Sequence, residues 1–515
     1  MLPTTHPARR LGRLLTLILG LLALLPTGPA RAADLTAGTE AELNAAIAAV
    51  NAAGAGTHTI TLTADITLTD WTTALNNPAA TQLILDGDGH TIDGSGHGPI
   101  LWIDDGTTAR VRDVTLTGGQ AAVGGAIYNG GALTVEHSSL FANAADVSGG
   151  AIKSDGNVTI LNSTLDGNTA DYGGAVTLTT EAITATLIIR NSTLSNNEAA
   201  VNGGSVYVFS SGGGAAEVTI NGIVVQGNQS PNGTGGLDLI AGAGSSLEAN
   251  LTASYLVGNV GYRGGLALIA NGTAEATIAT TTIAGNVSTA QGGISESSAG
   301  GVYVRSHTGG SASLTLFNST LSGNSTNRAG GGLLVTADGG AVGANVVYST
   351  LAGNTAGAGG GGIHTAATHN GRAAVRLSAS IITNGPGAGP DCAAPGVGAA
   401  IIPTGFNLAG DDTCFPNEED DSDLIASAAG LLPLALNAPG TTPTHALSVT
   451  SPALDRIPPG GLGCGTAIGA DQRGVARPQP AGGRCDIGAF ERRPGETPEF
   501  RMYLPGVWGS RQQAQ

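Results

Sequence analysis

The chain has 515 residues, a formal net charge of −17, 83 glycines, and only 11% charged and 3% aromatic residues. The negative charge argues against nucleic-acid binding, because phosphates would be repelled, and the sequence has no basic patch for anionic lipid. With 41% hydrophobic residues the chain is too apolar to be disordered, and its glycines suit a thin solenoid made of turns and small residues.

The amino terminus has the three parts of a cleaved secretory signal. Arg9, Arg10 and Arg13 precede an apolar run from Leu14 to Leu25, and small residues follow at 30–32. The run is too short to span a bilayer comfortably, and no other segment is long and apolar enough to do so. We therefore assign residues 1–32 to a signal peptide and expect a secreted or extracellular protein without a transmembrane span.

Residues 34–55 are predicted to form an amino-terminal capping helix. Residues 39–42 (TEAE) form a capping-box pattern, and Leu43, Ile47 and Val50 fall on one face of the helix that follows. A lone amphipathic helix directly ahead of a strand repeat is expected to cover the open end of that repeat.

A repeated unit fills residues 56–385 at intervals of roughly 25 to 38 residues. Each copy has a short run of alternating apolar residues, then an apolar anchor residue, an Asn three places later and a pair of glycines. The anchors are Leu140, Leu165, Leu194, Val225, Leu256, Ile283, Leu321 and Leu351. The Asn column is Asn143, Asn168, Asn197, Asn228, Asn259, Asn286, Asn324 and Asn354.

Such a unit cannot bury its apolar face alone, so each copy must stack on the next. Period-two patterning in short strands joined by turns predicts an all-β fold, a right-handed parallel β-helix solenoid of about ten or eleven coils and on the order of 50 Å in length. The Asn column is interpreted as a structural ladder, because the Asn amide can hydrogen-bond buried backbone and the Asn of the next coil. A leucine-rich horseshoe is the competing solenoid, but the units lack its leucine spacing and any helix-length segment.

All four cysteines lie near the end of the chain, at Cys392, Cys414, Cys464 and Cys485. In an exported protein an even number favours disulfides. Of the three connectivities, we favour Cys392–Cys414 with Cys464–Cys485, because each closes a loop of about 20 residues. Zinc is the alternative, but no CxxC or close Cys/His pairing is present.

From residue 386 to 491 the composition shifts toward proline and acidic residues, and a series of short blocks appears. They are GFNL at 405–408 followed by Cys414, GLLPL at 430–434, THAL at 444–447, SPALD at 451–455, DQRG at 471–474, RP at 477–478 and CDIGAFE at 485–491. In content and order they resemble the choice-of-anchor Q domain. That resemblance implies a bacterial protein exported to the cell surface or beyond, with a β-helix ahead of a variable attachment signal.

The paired glycines with their following Ala-Ile, together with the LxxN turns, are also similar to polymorphic outer-membrane protein repeats. The tail, 492–515, contains Leu504 and Pro505 but lacks the Thr-Gly that a sortase signal requires. Release into the medium and attachment through another signal both stay open.

Enzymes on β-helices need facing carboxylates, or a calcium-binding carboxylate cluster with a base. The candidates are Asp86, Asp88, His90 and Asp93, and the pair Asp104 and Asp105. Residues 86–93 read more simply as turn formers, because DG pairs favour turns. The Gly96–Gly98 segment with Asp104 and Asp105 only superficially matches polygalacturonase elements, whose order it reverses.

Other candidate residues carry weaker signals. The exposed face after the paired glycines is predicted to hold Tyr128, Lys153, Thr177, Tyr207, Asp238 and Leu266 or its neighbours, a mixed surface without an acidic cluster. His364 and His369 share one coil, and the acidic run 418–421 with Asp423 could collect calcium weakly; otherwise no cofactor is expected. An ice-binding row would use Ser139, Thr164, Thr193, Val224, Tyr255, Thr282, Thr320 and Thr350, but Val224 and Tyr255 interrupt it.

The sequence therefore favours a non-catalytic, secreted or cell-surface β-helix that acts as an adhesin or glycan-binding rod. Its expected partners are surface glycans or components of the cell envelope. The alternative is a polysaccharide lyase or glycoside hydrolase that acts on an acidic polysaccharide. An enzyme should place two or three carboxylates with Arg, Lys or His on one concave face within about 10 Å.

Overall fold

A computed structural model describes residues 33–290, 298–385, 387–415 and 422–496. These residues form a parallel β-helix in which the chain passes through four sheets, A, B, D and C, before it starts the next coil. Within each sheet every strand pairs in parallel with its counterpart in the neighbouring coils. The predicted fold class is confirmed. The predicted signal peptide, 1–32, and the tail from residue 497 onward lie outside the described residues.

The strand bounds are as follows. Sheet A contains Asp34–Ala37, Thr57–Leu62, Gln82–Asp86, Thr108–Arg112, Ala132–Glu136, Asn157–Leu161, Thr184–Arg190, Ala215–Asn221, Ser246–Thr252, Thr273–Ala279, Ser311–Phe317, Ala341–Val347, Arg372–Ser378 and Ala399–Pro403. Sheet B contains Ile66–Thr67, Thr91–Asp93, Thr115–Thr117, Ser139–Phe141, Thr164–Asp166, Thr193–Ser195, Val224–Gln226, Tyr255–Val257, Thr282–Ala284, Thr320–Ser322, Thr350–Ala352, Ile381–Thr383, Leu408–Ala409 and Leu424–Ile425.

The other two sheets are shorter. Sheet C contains Leu101–Ile103, Ile127–Asn129, Ile152–Ser154, Val176–Glu181, Val206–Ser211, Leu237–Ala241, Leu266–Ala270, Val302–His307, Leu333–Asp338, Ile363–Thr368 and Cys392–Ala393. Sheet D contains Gln120–Val123, Ala144–Ser148, Thr169–Tyr172, Glu198–Asn202, Gln229–Thr234, Val260–Arg263, Val287–Ser288, Ser325–Thr326 and Thr355–Ala356. The described helices are α1 (Glu40–Asn51) and two 3-10 turns, Asp412–Cys414 and Gly461–Gly463.

Helix α1 caps the first coils as predicted, but it is shorter than residues 34–55. Its first turn is closed by Thr39, whose hydroxyl accepts a hydrogen bond from the Glu42 N–H, and its apolar face, Leu43 with Ile47 and Val50, is buried. The segment Asp34–Ala37 instead forms the first strand of sheet A and pairs with Thr57–Leu62. Leu35 and Ala37 alternate with polar residues, so this segment fits a sheet edge better than a helix.

The solenoid is longer than the ten or eleven coils predicted. Sheets A and B each stack 14 strands, which at ~4.8 Å per coil gives a rod of roughly 60 Å. The count was low because the first coils lack the Asn column and the last coil lies among the cysteines. The boundary placed at residue 385 is also wrong as an end of the solenoid, because Ala399–Pro403 and Leu408–Ala409 continue sheets A and B.

The Asn column forms a continuous buried ladder. Asn168 illustrates the pattern: its Oδ1 accepts hydrogen bonds from the N–H (3.1 Å) and Nδ2 (3.0 Å) of Asn143, and its own Nδ2 donates to the carbonyl of Leu140 (3.0 Å). The ladder continues past the predicted column through Asn384 and ends at Asp391, whose Oδ1 accepts two hydrogen bonds from Asn384. The repeated Asn thus satisfies backbone groups that the turn would otherwise bury without partners.

A second ladder, of hydroxyl side chains, lines the turn between sheets A and B. In most coils a residue with positive φ is followed by a Ser or Thr, whose hydroxyl accepts the N–H of the residue one coil earlier and donates to the carbonyl two residues before it. The members are Ser138, Ser163, Ser192, Ser254, Thr281, Ser319, Ser349 and Ser380. The paired glycines are required elsewhere for space: a Cβ on Gly150 would overlap the carbonyl oxygen of Gly174.

The C-terminal lobe, residues 429–496, folds back along the outer face of sheet B. A two-stranded antiparallel pair, Leu431–Ala435 with Thr444–Leu447, begins it. Gln472 accepts a hydrogen bond from the hydroxyl of Thr320 (2.6 Å) and donates to that of Thr282 (2.8 Å), and the Ala489 N–H donates to Thr350 (3.0 Å). Three threonines of the row considered for ice binding are therefore buried beneath this lobe, so the row does not form one exposed face.

The disulfides are those expected from the sequence, Cys392–Cys414 in the last coil and Cys464–Cys485 in the C-terminal lobe. Buried ion pairs hold the lobe together as well: Arg473 contacts Asp471 (2.9 Å), and Arg477 contacts Glu491 (3.0 Å). The sequence blocks between residues 430 and 491 thus supply internal contacts of the lobe and its contacts with sheet B.

Candidate functional site

The early carboxylates lie at a corner between sheets A and B. Asp86 and Arg112 form an ion pair (2.6 Å) beside a shallow groove of about 690 Å³, which Asp88, Asp113 and His137 also line. Asp86 also accepts the N–H of Asp88 (3.1 Å), in the manner of an Asx turn. Local turn and ion-pair contacts therefore account for much of this cluster, as the simpler interpretation of residues 86–93 expected.

Two further members of that cluster are engaged in the same way. Asp93 accepts the N–H of Ser95 (2.8 Å), and His90 lies 3.2 Å from Asp65. Among the described residues no group of three His, Cys, Asp or Glu side chains is placed to hold a metal ion. The acidic run 418–421 lies outside the described residues. Asp423 accepts two hydrogen bonds from Asn407, which follows Ser380 at the carboxyl end of the hydroxyl ladder.

The outer face of sheet C carries the best-developed candidate surface. Strand register aligns two outward columns of residues on this face. The first column contains Trp102, Tyr128, Lys153, Thr177, Tyr207 and Asp238. The second column lies two residues later in the chain and contains Asp104, Gly130, Asp155, Thr179, Phe209 and Ile240. The next member of the first column is Ala267, not Leu266, which points into the core. We call the part of this face from Trp102 to Phe209 the sheet C strip.

The strip begins with a stacked aromatic pair. The rings of Trp102 and Tyr128 lie 4.1 Å apart between centroids, at 30° to one another, and both side chains are partly exposed. The Trp102 indole N–H donates to Asp104 (2.8 Å), and the Tyr128 hydroxyl donates to Asp155 (2.8 Å). Hydrogen bonds at their polar ends thus fix both rings, and at this separation each ring covers one face of the other; we call this pair the aromatic platform.

Asp155 is the centre of the polar cluster beside this platform. It accepts hydrogen bonds from Tyr128, from Lys153 and from the Thr179 hydroxyl (2.6 Å). Burial acts to raise the pKa of Asp155, but the hydrogen bonds from Lys153 and Thr179 outweigh it and leave that pKa below its ordinary value. Burial together with Asp155 raises the pKa of Tyr128 to about 12. At neutral pH the cluster therefore holds an anionic Asp155 and a protonated Tyr128.

Lys153 is the only lysine in the 515-residue chain. It is 8% exposed, and its ammonium donates to Asp155 and to the Thr179 hydroxyl (2.7 Å). Burial lowers its pKa, against the opposing effect of Asp155. A single lysine buried at the edge of an aromatic platform is an uncommon placement, since lysine is among the residues least often buried.

Two further carboxylates lie near this part of the face. The charges of Asp104 and Asp105, with that of Asp155, contribute to the raised pKa of Tyr128. The sequence analysis considered only the first outward column, whereas Asp104 and Asp155 occupy the second. Asp104 and Asp155 would have been found by also considering the residue two positions after each member of the first column, because alternate residues of a strand face the same side of a sheet.

The sheet C strip spans five strands, from Leu101–Ile103 to Val206–Ser211, a length of about 19 Å, and within it Lys153 and Thr177 are buried. At its far end Tyr207 lies 5.2 Å from Tyr172 and 6.3 Å from Phe209, measured between ring centroids. Beyond it the outward column is buried, as at Asp238 and Tyr303. The partly exposed aromatic rings of this face thus lie in its amino-terminal half, whereas polar side chains such as Arg305 and Asp338 are partly exposed further along.

The two candidate histidines do not form a site. His364 is buried and accepts a hydrogen bond from the N–H of Gly360 (3.3 Å). His369 lies just after the other end of the same strand, where its Nδ1 is 2.6 Å from Oδ1 of Asp338 and 80% of its side chain is exposed. Five residues of strand separate them, roughly 16 Å.

Acid should destabilise the protein through His364. Burial lowers its folded-state pKa to about 4, below the ordinary value of 6.5, so its stabilising contribution is complete above pH 6.5 and is lost as pH falls toward 4. We expect a loss of about 2–3 kcal/mol from this residue between pH 7.5 and 4.5. Guanidinium unfolding at both pH values should show a smaller pH dependence in His364→Asn than in the wild type, and no such change in the exposed control His369→Asn. An identical pH dependence in all three proteins would contradict the assignment.

The structure defines the molecule as a capped parallel β-helix with a laterally docked C-terminal lobe. No protein-family model matches the chain, and a search of the curated proteins found no significant match. No helix among residues 33–290, 298–385, 387–415 and 422–496 is long and apolar enough to cross a membrane.

Proposed function

We propose that this protein is an exported, non-catalytic rod that binds a glycan on the sheet C strip. The observation that carries the proposal is the fixed platform of Trp102 and Tyr128, flanked by Asp104 and Asp155. Flat aromatic rings suit the apolar faces of sugar rings, and carboxylates at their edges suit hydroxyl groups. The two disulfides and the resemblance to the choice-of-anchor Q domain support export and attachment at a cell surface.

The hydrogen bonding of the strip favours binding over catalysis. Both oxygens of Asp155 already accept hydrogen bonds, from Lys153, Thr179 and Tyr128. An anion with three donors and a lowered pKa is a poor proton acceptor, and a tyrosine with a pKa of about 12 is a poor proton donor at neutral pH. The cluster is built to hold its own groups in place, as a binding surface requires.

A polysaccharide-degrading enzyme is the second candidate, because one specific observation favours it. Lys153, with a pKa lowered by burial, lies against Asp155, and Asp104 and Asp105 are close to the same tyrosine hydroxyl. A carboxylate paired with a lysine on one face is part of the grouping expected of an enzyme. In that case Lys153 would be the base, and Lys153→Met would abolish product formation.

Replacing Trp102 by alanine should weaken glycan binding by about tenfold to a hundredfold, because a central aromatic contact typically contributes that much. We would immobilise neutral and acidic polysaccharides and measure retention of residues 33–515, together with the release of reducing or unsaturated ends. The matched control is Phe141→Ala, which removes an aromatic ring that is 39% exposed on sheet B. Retention without products supports the proposal. Products that disappear in Lys153→Met would establish the enzyme, and equal retention by both alanine variants would exclude the strip as the site.

A further inference from the structure

A neutral histidine joins the C-terminal lobe to the solenoid. His445 lies in the lobe strand Thr444–Leu447, at the seam between the lobe and sheet B. Its Nε2 is 2.8 Å from the hydroxyl of Ser322 in sheet B, and its Nδ1 is 2.7 Å from the carbonyl oxygen of Leu432 in the paired lobe strand. A carbonyl oxygen can only accept a hydrogen bond, so Nδ1 carries the proton of the neutral ring and Nε2 accepts from Ser322.

Within the described residues, the elements that pack against His445 carry no charged side chain. The lobe segment 424–454 contains no other titratable residue. The strand of sheet B that His445 contacts, Thr320–Ser322, and the strands on either side, Thr282–Ala284 and Thr350–Ala352, have none either. A positive charge on the ring would therefore have no carboxylate partner on either side of the seam.

Protonation of His445 thus places an uncompensated charge in the seam. Both nitrogens of an imidazolium are donors, so Nε2 can no longer accept from Ser322. Burial, the larger effect, lowers the pKa of His445 below its ordinary 6.5, and the hydrogen bond to the Leu432 carbonyl acts in the opposite direction. Because the folded-state pKa is depressed, the stabilising contribution of the neutral ring is complete above pH 6.5 and is lost as pH falls toward that folded-state value.

We propose that the C-terminal lobe is an acid-sensitive strap, which lies on sheet B at neutral pH and is released when His445 takes up a proton. The lobe can leave as a folded body, since the Cys464–Cys485 disulfide and the Arg477–Glu491 ion pair lie within it. Acid would then uncover a face of the solenoid that the lobe covers at neutral pH. That face includes the hydroxyls of Thr282, Thr320 and Thr350.

Two other titratable groups of the lobe act with the opposite sign. Burial raises the pKa of Asp486 to about 6 and that of Glu491 to about 8. The stability that a raised pKa contributes is present in acid and is lost as pH rises, so these two carboxyls favour the folded lobe as pH falls from 7.5 to 5. A loss of docking in acid would have the sign expected of His445 and not of these carboxyls.

Hydrogen exchange separates the docking of the lobe from its folding. The Gly488 amide donates across the seam to the Ala379 carbonyl (2.9 Å), whereas the Cys485 amide donates within the lobe to the Ile457 carbonyl (2.9 Å). After correction for the intrinsic pH dependence of exchange, protection of Gly488 should fall about tenfold per pH unit below 6.5 and level off where the His445 ring titrates. Protection of Cys485 should not fall over the same range.

Two matched variants test whether His445 is responsible. His445→Gln keeps a donor for Leu432 and an acceptor for Ser322 but cannot titrate, so it should abolish the acid-dependent loss of Gly488 protection. His369→Asn removes a histidine that is 80% exposed, and it should leave the loss unchanged. An equal loss in the wild type and in His445→Gln would overturn the proposal.

Two further outcomes in the wild type also contradict the proposal. Equal protection of Gly488 at pH 7.5 and pH 5 would show that the seam does not respond to acid, and a parallel loss at Cys485 would show that the lobe unfolds and is not released intact. If His445→Gln fails to fold, exchange of the imidazole C2 hydrogen measures the pKa of His445 directly. A value of 6.5 or above would contradict the proposal.

Discussion

Replacement of Arg477 by methionine is expected to lower the free energy of unfolding of the C-terminal lobe by about 3–5 kcal/mol at pH 9, because it leaves a buried carboxylate without its cation. The Arg477 guanidinium is fully buried over the Tyr348 ring, and it donates to Glu491 (3.0 Å) and to the carbonyls of Asp486 (2.9 Å) and Gly488 (2.5 Å). Methionine fills much of the volume but satisfies none of these acceptors.

The same replacement should cost less in acid than in base. Burial raises the pKa of Glu491 to about 8, with Arg477 acting in the opposite direction. At pH 5.5 Glu491 is therefore protonated with or without Arg477, whereas at pH 9 the wild type holds the ionised group beside its cation and the variant must bury it unpaired or protonate it. The cost should accordingly be smaller at pH 5.5 than at pH 9.

Hydrogen exchange of the amides in residues 470–491, measured at both pH values, reports the opening of the lobe directly. The exposed arginine Arg190, at the edge of sheet A, provides the control Arg190→Met, for which we expect a change below about 0.5 kcal/mol. Loss of protection along the whole rod, instead of in the lobe, would show that the lobe and the solenoid unfold as one unit. An unchanged exchange rate in the lobe would show that the Arg477–Glu491 ion pair is not the main interaction that stabilises the lobe.

The repeated parts of the fold were predictable from the sequence because each repeat contains the same pattern of apolar, Asn and Gly residues. Alternation such as Val158 and Ile160 fixes which face is buried, and the Asn column fixes the register from one coil to the next. The C-terminal lobe has no such periodicity. Gln472 donates a hydrogen bond to Thr282, which is 190 residues away in the chain, and the sequence around neither residue indicates that contact.

The candidate site was only half predictable. The first outward column was aligned as predicted up to Asp238, since it follows the paired glycines at a constant offset, but Lys153, Thr177 and Asp238 in it are buried and not exposed as predicted. Lys153 and Asp155 were not connected with each other, because residues two apart on a strand become neighbours on the surface only when the strand direction is taken into account. Asp86 is the opposite case. Its sequence context made it a candidate catalytic or calcium-binding residue, whereas its contacts are those of a turn and an ion pair.

Replacement of Asn228 by alanine, in the middle of the ladder, should destabilise the solenoid by about 3–5 kcal/mol. Asn228 is fully buried; its Oδ1 accepts from the backbone N–H and Nδ2 of Asn197, both at 2.9 Å, and its Nδ2 donates to the carbonyl of Leu194 (3.1 Å) and to Asn259 (2.9 Å). Alanine would leave two buried donors and two buried acceptors without these partners.

Because each coil contacts only its neighbours, the damage should be local as well as large. Guanidinium unfolding followed by circular dichroism gives the magnitude, and hydrogen exchange should locate the loss of protection in the coils around residues 194–260. Asn232→Ala is the matched control, since Asn232 is exposed and makes one hydrogen bond, to the Ala200 carbonyl (2.8 Å), so we expect less than about 1 kcal/mol. A second replacement at Asn197 should add less than the first, because the two side chains share their hydrogen bonds. Fully additive effects of the two replacements would mean that the column is a row of independent turns and not a ladder.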